Sequence, residues 1–232
     1  MNIHYIGIRK SLKNVLTNIE QRTEDFPLQI IDLGGEIEYD AELISSYTDS
    51  KIETIILSNR RYYLDDPLGH LESDLLNRYQ YSILYRTSPL DITIDIYREW
   101  ADATGALITA FSPNGVSWIN TEDVAEACLI DRNDIRERSG KAFELTGPKR
   151  ISMETLKSSF EKQLKKKIEL HCLDRDNVIN IMTQNKVPLE IAEWLVEFQE
   201  QSSDNRMQDT TQIIEQIIGH PPKEPRLFKG KS

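Results

Sequence analysis

Up to about residue 110 the chain alternates short, largely apolar runs with stretches whose apolar positions recur every three or four residues. Ile3–Ile8, Leu28–Leu33, Thr54–Ser58 and Tyr81–Tyr85 read as strands, Thr54–Ser58 of the kind buried in a parallel sheet. Between them, Leu12, Val15, Leu16 and Ile19 keep the i, i+3, i+4, i+7 spacing of a helix with one buried stripe. Leu68–Arg78 and Leu90–Ala101 read as helices too, and Asp40–Tyr47 as a shorter one after the Gly34-Gly35 turn. Such alternation predicts an α/β fold: a parallel sheet with helices on both faces, joined by right-handed crossovers.

The pattern then changes. Gly115–Ile119 and Lys141–Thr146 read as strands, Thr121–Ile130 as a helix and Asp131–Ser139 as a charged turn. From Ser152 onward the chain is mostly helical, with one strand at Ile168–Cys172. The expected division is a sheet domain over 1–150 and a smaller, mostly helical region over 151–232. Pro221 to Ser232, rich in Pro and Lys, reads as a loosely held tail.

Composition narrows the partners. With 39% apolar and 28% charged residues in a chain of 232, the balance is that of a globular protein. A net charge of −10 leaves no basic excess to displace counterions, so nucleic acid is not an expected partner. Lys162 and Lys165–Lys167 form the one basic cluster, read as a solvated helix end. Two distant cysteines, Cys128 and Cys172, and four scattered histidines give neither a disulfide framework nor a metal site. Cys128 sits on an apolar helix face and is expected in the core. No apolar run approaches a membrane span and the N-terminus lacks a signal-peptide pattern, so a cytoplasmic protein is expected.

Candidate chemistry begins at the first turn, Gly7-Ile8-Arg9-Lys10-Ser11-Leu12. A pyrophosphate needs bare backbone N–H groups at a helix start, and a G-x-G-x-x-G spacing gives the clearance. Here the later glycine positions carry long or branched side chains, so the expectation is that no dinucleotide binds. If binding is retained, Gly7, Arg9 and Asp32 would carry it. Asp32 ends the second strand about 25 residues after Gly7, near the spacing at which an acid meets the adenosine ribose. Gly34-Gly35 reads as a plain turn, with a substitute nest of N–H groups as the alternative.

Three segments resemble the NmrA-like branch of atypical short-chain dehydrogenase/reductases. They are Tyr81-Ser82-Ile83-Leu84-Tyr85-Arg86-Thr87-Ser88-Pro89, Ser117-Trp118-Ile119-Asn120-Thr121-Glu122-Asp123-Val124-Ala125-Glu126 and Gly140-Lys141-Ala142-Phe143-Glu144-Leu145-Thr146-Gly147-Pro148. Gly219-His220-Pro221-Pro222 suits the C-terminal end of that family, and the similarity runs from about Thr54 to Pro222. It implies a Rossmann-type domain, a smaller C-terminal region and a substrate cleft between them. Two departures stand at the front. Only about 45 residues separate the first strand from Thr54, where the family has room for two more β-α units, so a truncated Rossmann-like sheet is expected. A Tyr-x-x-x-Lys pair is also missing after Tyr62 and Tyr63, where Asp66 and Pro67 stand instead.

The resemblance places the cleft at the carboxyl ends of the strands, where open α/β sheets bind ligands. Ser58, Asn59 and Arg60 end one strand, Arg86, Thr87 and Ser88 the next, and Trp118, Asn120 and Thr121 follow a third. His70, with Asp74 on the same helical face, is the natural acid–base at neutral pH. Ser58, His70 and Arg86 are the candidate catalytic groups; Asn59, Arg60, Thr87, Ser88, Trp118 and Asn120 are candidates to hold the substrate, under a roof from Trp194 and Phe198. Each has a plainer reading: Trp118 as core, Thr121 as a helix N-cap, Arg86 paired with Asp91 or Asp95, Asp123 as structural. The preferred expectation is a cofactor-independent cyclase or isomerase acting on a natural-product-like small molecule by orientation and hydrogen bonding. The alternatives are an NADPH-dependent reductase and a non-catalytic regulatory protein; a homodimer is left open.

Overall fold

The structure, a computed structural model, describes residues 2–7, 12–16, 27–33, 44, 48–59, 67–129, 132–203 and 210–227. Five strands form one parallel sheet: β1 (Asn2–Ile6), β2 (Pro27–Asp32), β3 (Glu53–Asn59), β4 (Ser82–Thr87) and β6 (Lys141–Leu145). Their spatial order is β1-β2-β3-β4-β6. A second, two-stranded parallel sheet pairs β5 (Ala106–Thr109) with β7 (Glu169–Cys172). The helices are α1 (Pro67–Arg78), α2 (Ile94–Thr104), α3 (Thr121–Cys128), α4 (Arg132–Glu137), α5 (Met153–Leu164), α6 (Arg175–Gln184), α7 (Leu189–Ser203) and α8 (Ile213–Ile218). A helical turn at 12–16 follows β1, and Asp91–Thr93 is a 3-10 turn before α2.

Alternation along each strand builds two cores, one on each face of the large sheet. Leu28, Ile30, Ile55, Leu57, Ile83 and Tyr85 face one way, against Leu12, Leu16, α3 and α8. Ile31, Ile56 and Leu84 face the other way, against Ile44 and α1 through Leu71 and Leu75. This is the period-2 arrangement that puts apolar residues on both faces of a covered sheet. The α/β fold with helices on both faces therefore stands.

The crossovers differ from expectation. All steps run in one direction across the sheet, yet the link from β1 to β2 packs Leu12 and Leu16 on one face and the link from β2 to β3 packs Ile44 on the other. Two connections that step the same way on opposite faces have opposite hand, so they are not both right-handed. The cause is the Leu12/Leu16 stripe, which buries against Leu28 and Ile55 rather than on the face of Ile31.

Packing also crosses residue 150. Ile94, Tyr97, Leu107, Phe111 and Trp118 share a core with Met153, Leu156, Phe160 and Ile168. In the other direction, α8 returns to the large sheet through Ile214. Gly115–Ile119 forms isolated bridges instead of the expected strand: Val116 pairs with Ile151 and Ile119 with Leu90. Gly147 packs its Cα against this segment so closely that an added Cβ would lie 1.8 Å from the Trp118 carbonyl oxygen.

The expected loose tail is tied down over 220–227. Asp123 accepts from the Lys223 backbone N–H at 2.7 Å, Asp91 from that of Arg226 at 3.0 Å, and the Glu224 carbonyl accepts from Asn120 at 3.2 Å. Side chains add outer ties, His220 to Glu126 and Lys223 to Glu122. Pro-rich sequence suits this strap, because a segment without helix or ladder bonds must find other acceptors for its remaining N–H groups.

Candidate functional site

The carboxyl ends of β3 and β4 bring two of the candidates together. Ser58 and Arg86 are register partners on adjacent strands, on the face covered by α1. From that helix Glu72, 1% exposed, accepts a hydrogen bond from Arg86 Nε at 2.8 Å. Arg86 therefore pairs with Glu72, not with Asp91 or Asp95. Among the described residues its two terminal nitrogens meet no partner, and its side chain is 17% exposed. Among the described residues the second Glu72 oxygen, Oε1, is buried and meets no hydrogen-bond partner. An ion pair of this kind fixes the guanidinium plane through one nitrogen and leaves the rest of the fork to bind a carbonyl or anionic oxygen.

Asn59 and Thr87, one register step on, face the opposite side. Thr87 is buried and donates to the Ser58 carbonyl at 3.3 Å, while the buried Ser58 Oγ lies 3.4 Å from the Asn59 carbonyl. Ser88 and Ser117 share a hydroxyl–hydroxyl bond of 3.1 Å under the junction between β4 and α3.

The third strand end delivers little to a ligand. Trp118 is fully buried, edge-on to Phe111 at 5.5 Å, with Nε1 donating to Thr93 Oγ1 at 3.3 Å. Asn120, not Thr121, caps α3: its Oδ1 accepts from the Glu122 N–H at 2.9 Å. Thr121 instead donates its N–H and hydroxyl to Asp91 Oδ1, at 3.0 and 2.6 Å. Asp123 is buried, and burial is the largest influence on its carboxyl, raising it above the ordinary carboxylate range against the Lys223 N–H and charge. Its role is to hold the strap.

His70 lies exposed on α1 between the residues that reach the core. Arg9 and Arg60 lie outside the described residues, as do the side chains of Trp194 and Phe198 on α7. A polar contact that the sequence did not announce sits beside α7. Gln199, fully buried, accepts from Thr109 Oγ1 at 3.0 Å and from the Ala110 N–H at 2.7 Å, and donates to the Tyr97 hydroxyl at 3.3 Å. It fixes α7 to β5 and α2; only its place among apolar neighbours on α7 hints at burial. Among the described residues no group of three or more His, Cys, Asp or Glu side chains is placed to hold a metal ion, and no helix is long and apolar enough to cross a membrane.

At the end of β1, Gly7 has a φ of 63°, the left-handed conformation that glycine adopts without strain and that turns backbone N–H groups out of a strand. Leu12 is fully buried between Leu16, Leu28 and Ile55, so its side chain leaves the turn clear. Asp32 does not fit a ribose contact: it is fully buried and already engaged within the protein.

No family model matches the chain. Prestalk A differentiation protein A of Dictyostelium discoideum is 24% identical over 124 residues, 53% of this chain but only 41% of that protein's length. Solved structures match the whole fold. The NADPH complex of the Escherichia coli quinone oxidoreductase QOR2 has a TM-score of 0.71 at 14% identity, covering 96% of both chains. A nucleoside-diphosphate-sugar epimerase of Staphylococcus aureus has 0.72 at 13%, covering 97% of this chain and 98% of its own. The triphenylmethane reductase of Citrobacter sp., complexed with NADP(H), has 0.71 at 13%, covering 96% and 97%. At such identities the likeness is one of fold.

The expectation of a chain without cofactor does not stand. Two of these similar structures hold a nicotinamide dinucleotide on this fold. Leu12, one of the side chains read as filling the seat, is turned into the core. The steric argument assumed that every bulky residue after β1 points at the turn, whereas the helical stripe takes Leu12 inward.

Proposed function

We propose that the chain is an NmrA-like protein of the short-chain reductase type, with a shortened N-terminal half, that reduces a small oxidised molecule such as a quinone at the expense of a nicotinamide cofactor. The observation that carries this reading is the Ser58–Arg86–Glu72 group at the carboxyl edge of a sheet whose fold is shared with NADPH-bound reductases. The unbroken strand order supports the shortened front half. The bound reduced nicotinamide would supply a hydride. Arg86, held by Glu72, orients the substrate and stabilises negative charge as it develops on a carbonyl oxygen. Ser58, its register partner, lies on the same face.

The test is to follow reduced-nicotinamide absorbance with NADPH and a panel of quinones and cationic dyes. Turnover that falls by about a hundredfold in Arg86→Met supports the reading. Turnover unaffected by that change, or none with any acceptor although NADPH binds, contradicts it.

A further inference from the structure

Buried carboxylates collect hydrogen bonds from whatever donors the fold brings to them. Asp91 takes four, from Thr121 and Arg226. Glu72, 1% exposed, takes one from Arg86 Nε at 2.8 Å, and among the described residues its Oε1 meets no donor. The two terminal nitrogens of Arg86 meet no acceptor there either. Ser58, fully buried on the same face, makes only a 3.4 Å contact to the Asn59 carbonyl. An unsatisfied acceptor and unsatisfied donors thus flank a single bond, one rung from the carboxyl edge of β3 and β4, where open sheets take ligands.

Charge decides what completes this group. A cation is repelled by Arg86 and an anion by the free Glu72 oxygen, so the complement is neutral. It offers an acceptor to the guanidinium and, beside it, a donor to the carboxylate. A plain ketone or quinone meets Arg86 but leaves Glu72 unsatisfied. We infer that the Arg86–Glu72 pair selects an α-hydroxy ketone, its carbonyl oxygen on Arg86 and its hydroxyl donating to Glu72 Oε1. The inference rests on the reductase reading and names its substrate class, since a carboxamide, which offers the same pairing, does not accept a hydride from a nicotinamide. Reduction there leaves a vicinal diol and oxidised nicotinamide, the carbonyl carbon gaining the hydride and its oxygen a proton from water.

The experiment titrates the unaltered protein, with oxidised NADP present so that nothing turns over, with α-hydroxyacetophenone, α-methoxyacetophenone and acetophenone, followed by saturation-transfer NMR. The hydroxy ketone is expected to bind about tenfold tighter than either analogue. In Glu72→Gln an amide N–H2 replaces the free oxygen while the amide oxygen still accepts from Arg86, so the preference shrinks to about twofold or less. If water alone completes the group, the three ketones bind the wild type within about twofold of one another, and the inference falls. It falls equally if the preference survives in Glu72→Gln, or if none of the three binds. Should Glu72→Gln fail to fold, the wild-type ranking decides alone. Each of these results leaves the reductase reading standing wherever NADPH still reduces quinones; no NADPH consumption with quinones or with the hydroxy ketone overturns both.

Discussion

Asp91 offers the sharpest test of how the strap is held. Its carboxylate is 2% exposed and accepts four hydrogen bonds: two from Thr121, at 3.0 and 2.6 Å, and two from Arg226, at 3.0 Å from the backbone and 3.4 Å from Nε. Asp91→Ala strands the Thr121 N–H and hydroxyl, both in a fully buried residue, at a cost of about 1–3 kcal/mol each. The Arg226 groups regain water, because that side chain is 51% exposed, so the ion pair itself counts for under about 1 kcal/mol. Relief from burying a charge offsets part of the loss, leaving about 3 kcal/mol. For a chain of this length that lowers Tm by about 6–12 °C. Arg226→Ala, by the same reasoning, moves Tm by less than about 3 °C. Thermal melts followed by circular dichroism give both values, and hydrogen exchange over 220–227 reports strap release. If Asp91→Ala melts with the wild type, or Arg226→Ala costs as much, the buried Thr121 bonds are not what holds this junction.

Other substitutions probe the remaining ties. The Pro221 carbonyl, and after it Glu126, hold the His220 imidazolium above its ordinary range, so the stability it lends is complete below the usual histidine value and lost as pH rises through the raised one. His220→Gln should therefore lower Tm at pH 5.5 and leave it unchanged at pH 8.5, and an equal loss at both would refute the assignment. Gly147→Ala drives a Cβ into the Trp118 carbonyl, and the forced backbone shift should cost about 2–4 kcal/mol and alter tryptophan emission; an unchanged melt would contradict the close approach. Arg86→Ala leaves Glu72 charged, buried and alone, at about 3–5 kcal/mol, whereas Arg86→Met with Glu72→Leu should recover most of that stability without turnover. A double variant as unstable as the single one would show that the pair is not the source.

Four of the five strands of the large sheet are legible as largely apolar runs, found from short-range pattern, whereas Lys141–Leu145 carries Lys141 and Glu144 and fully buries only Leu145. β5 is not legible: Ala106–Thr109 is four residues long, follows α2 directly after Gly105 and pairs only with β7, far along the chain. The site divides the same way. Strand-end positions put Ser58 and Arg86 side by side, since register follows from the sheet. Sequence nearness offers Asp91 and Asp95 as the alternative partners of Arg86, while the partner it has, Glu72, comes from the preceding helix. Trp118 looked available for a ligand from its strand-end position, yet burial against Phe111 depends on how the two cores meet. The strap escaped notice because its ties are backbone N–H groups reaching carboxylates 100 and 135 residues away. Nothing in local composition announces such bonds.

Fluorescence titration of the purified protein with NADPH bears most directly on the account. Saturable enhancement of nicotinamide emission with a Kd below about 100 μM is the expected result. Emission that simply adds to that of free NADPH, up to about 1 mM, would contradict it and remove the basis for a reductase.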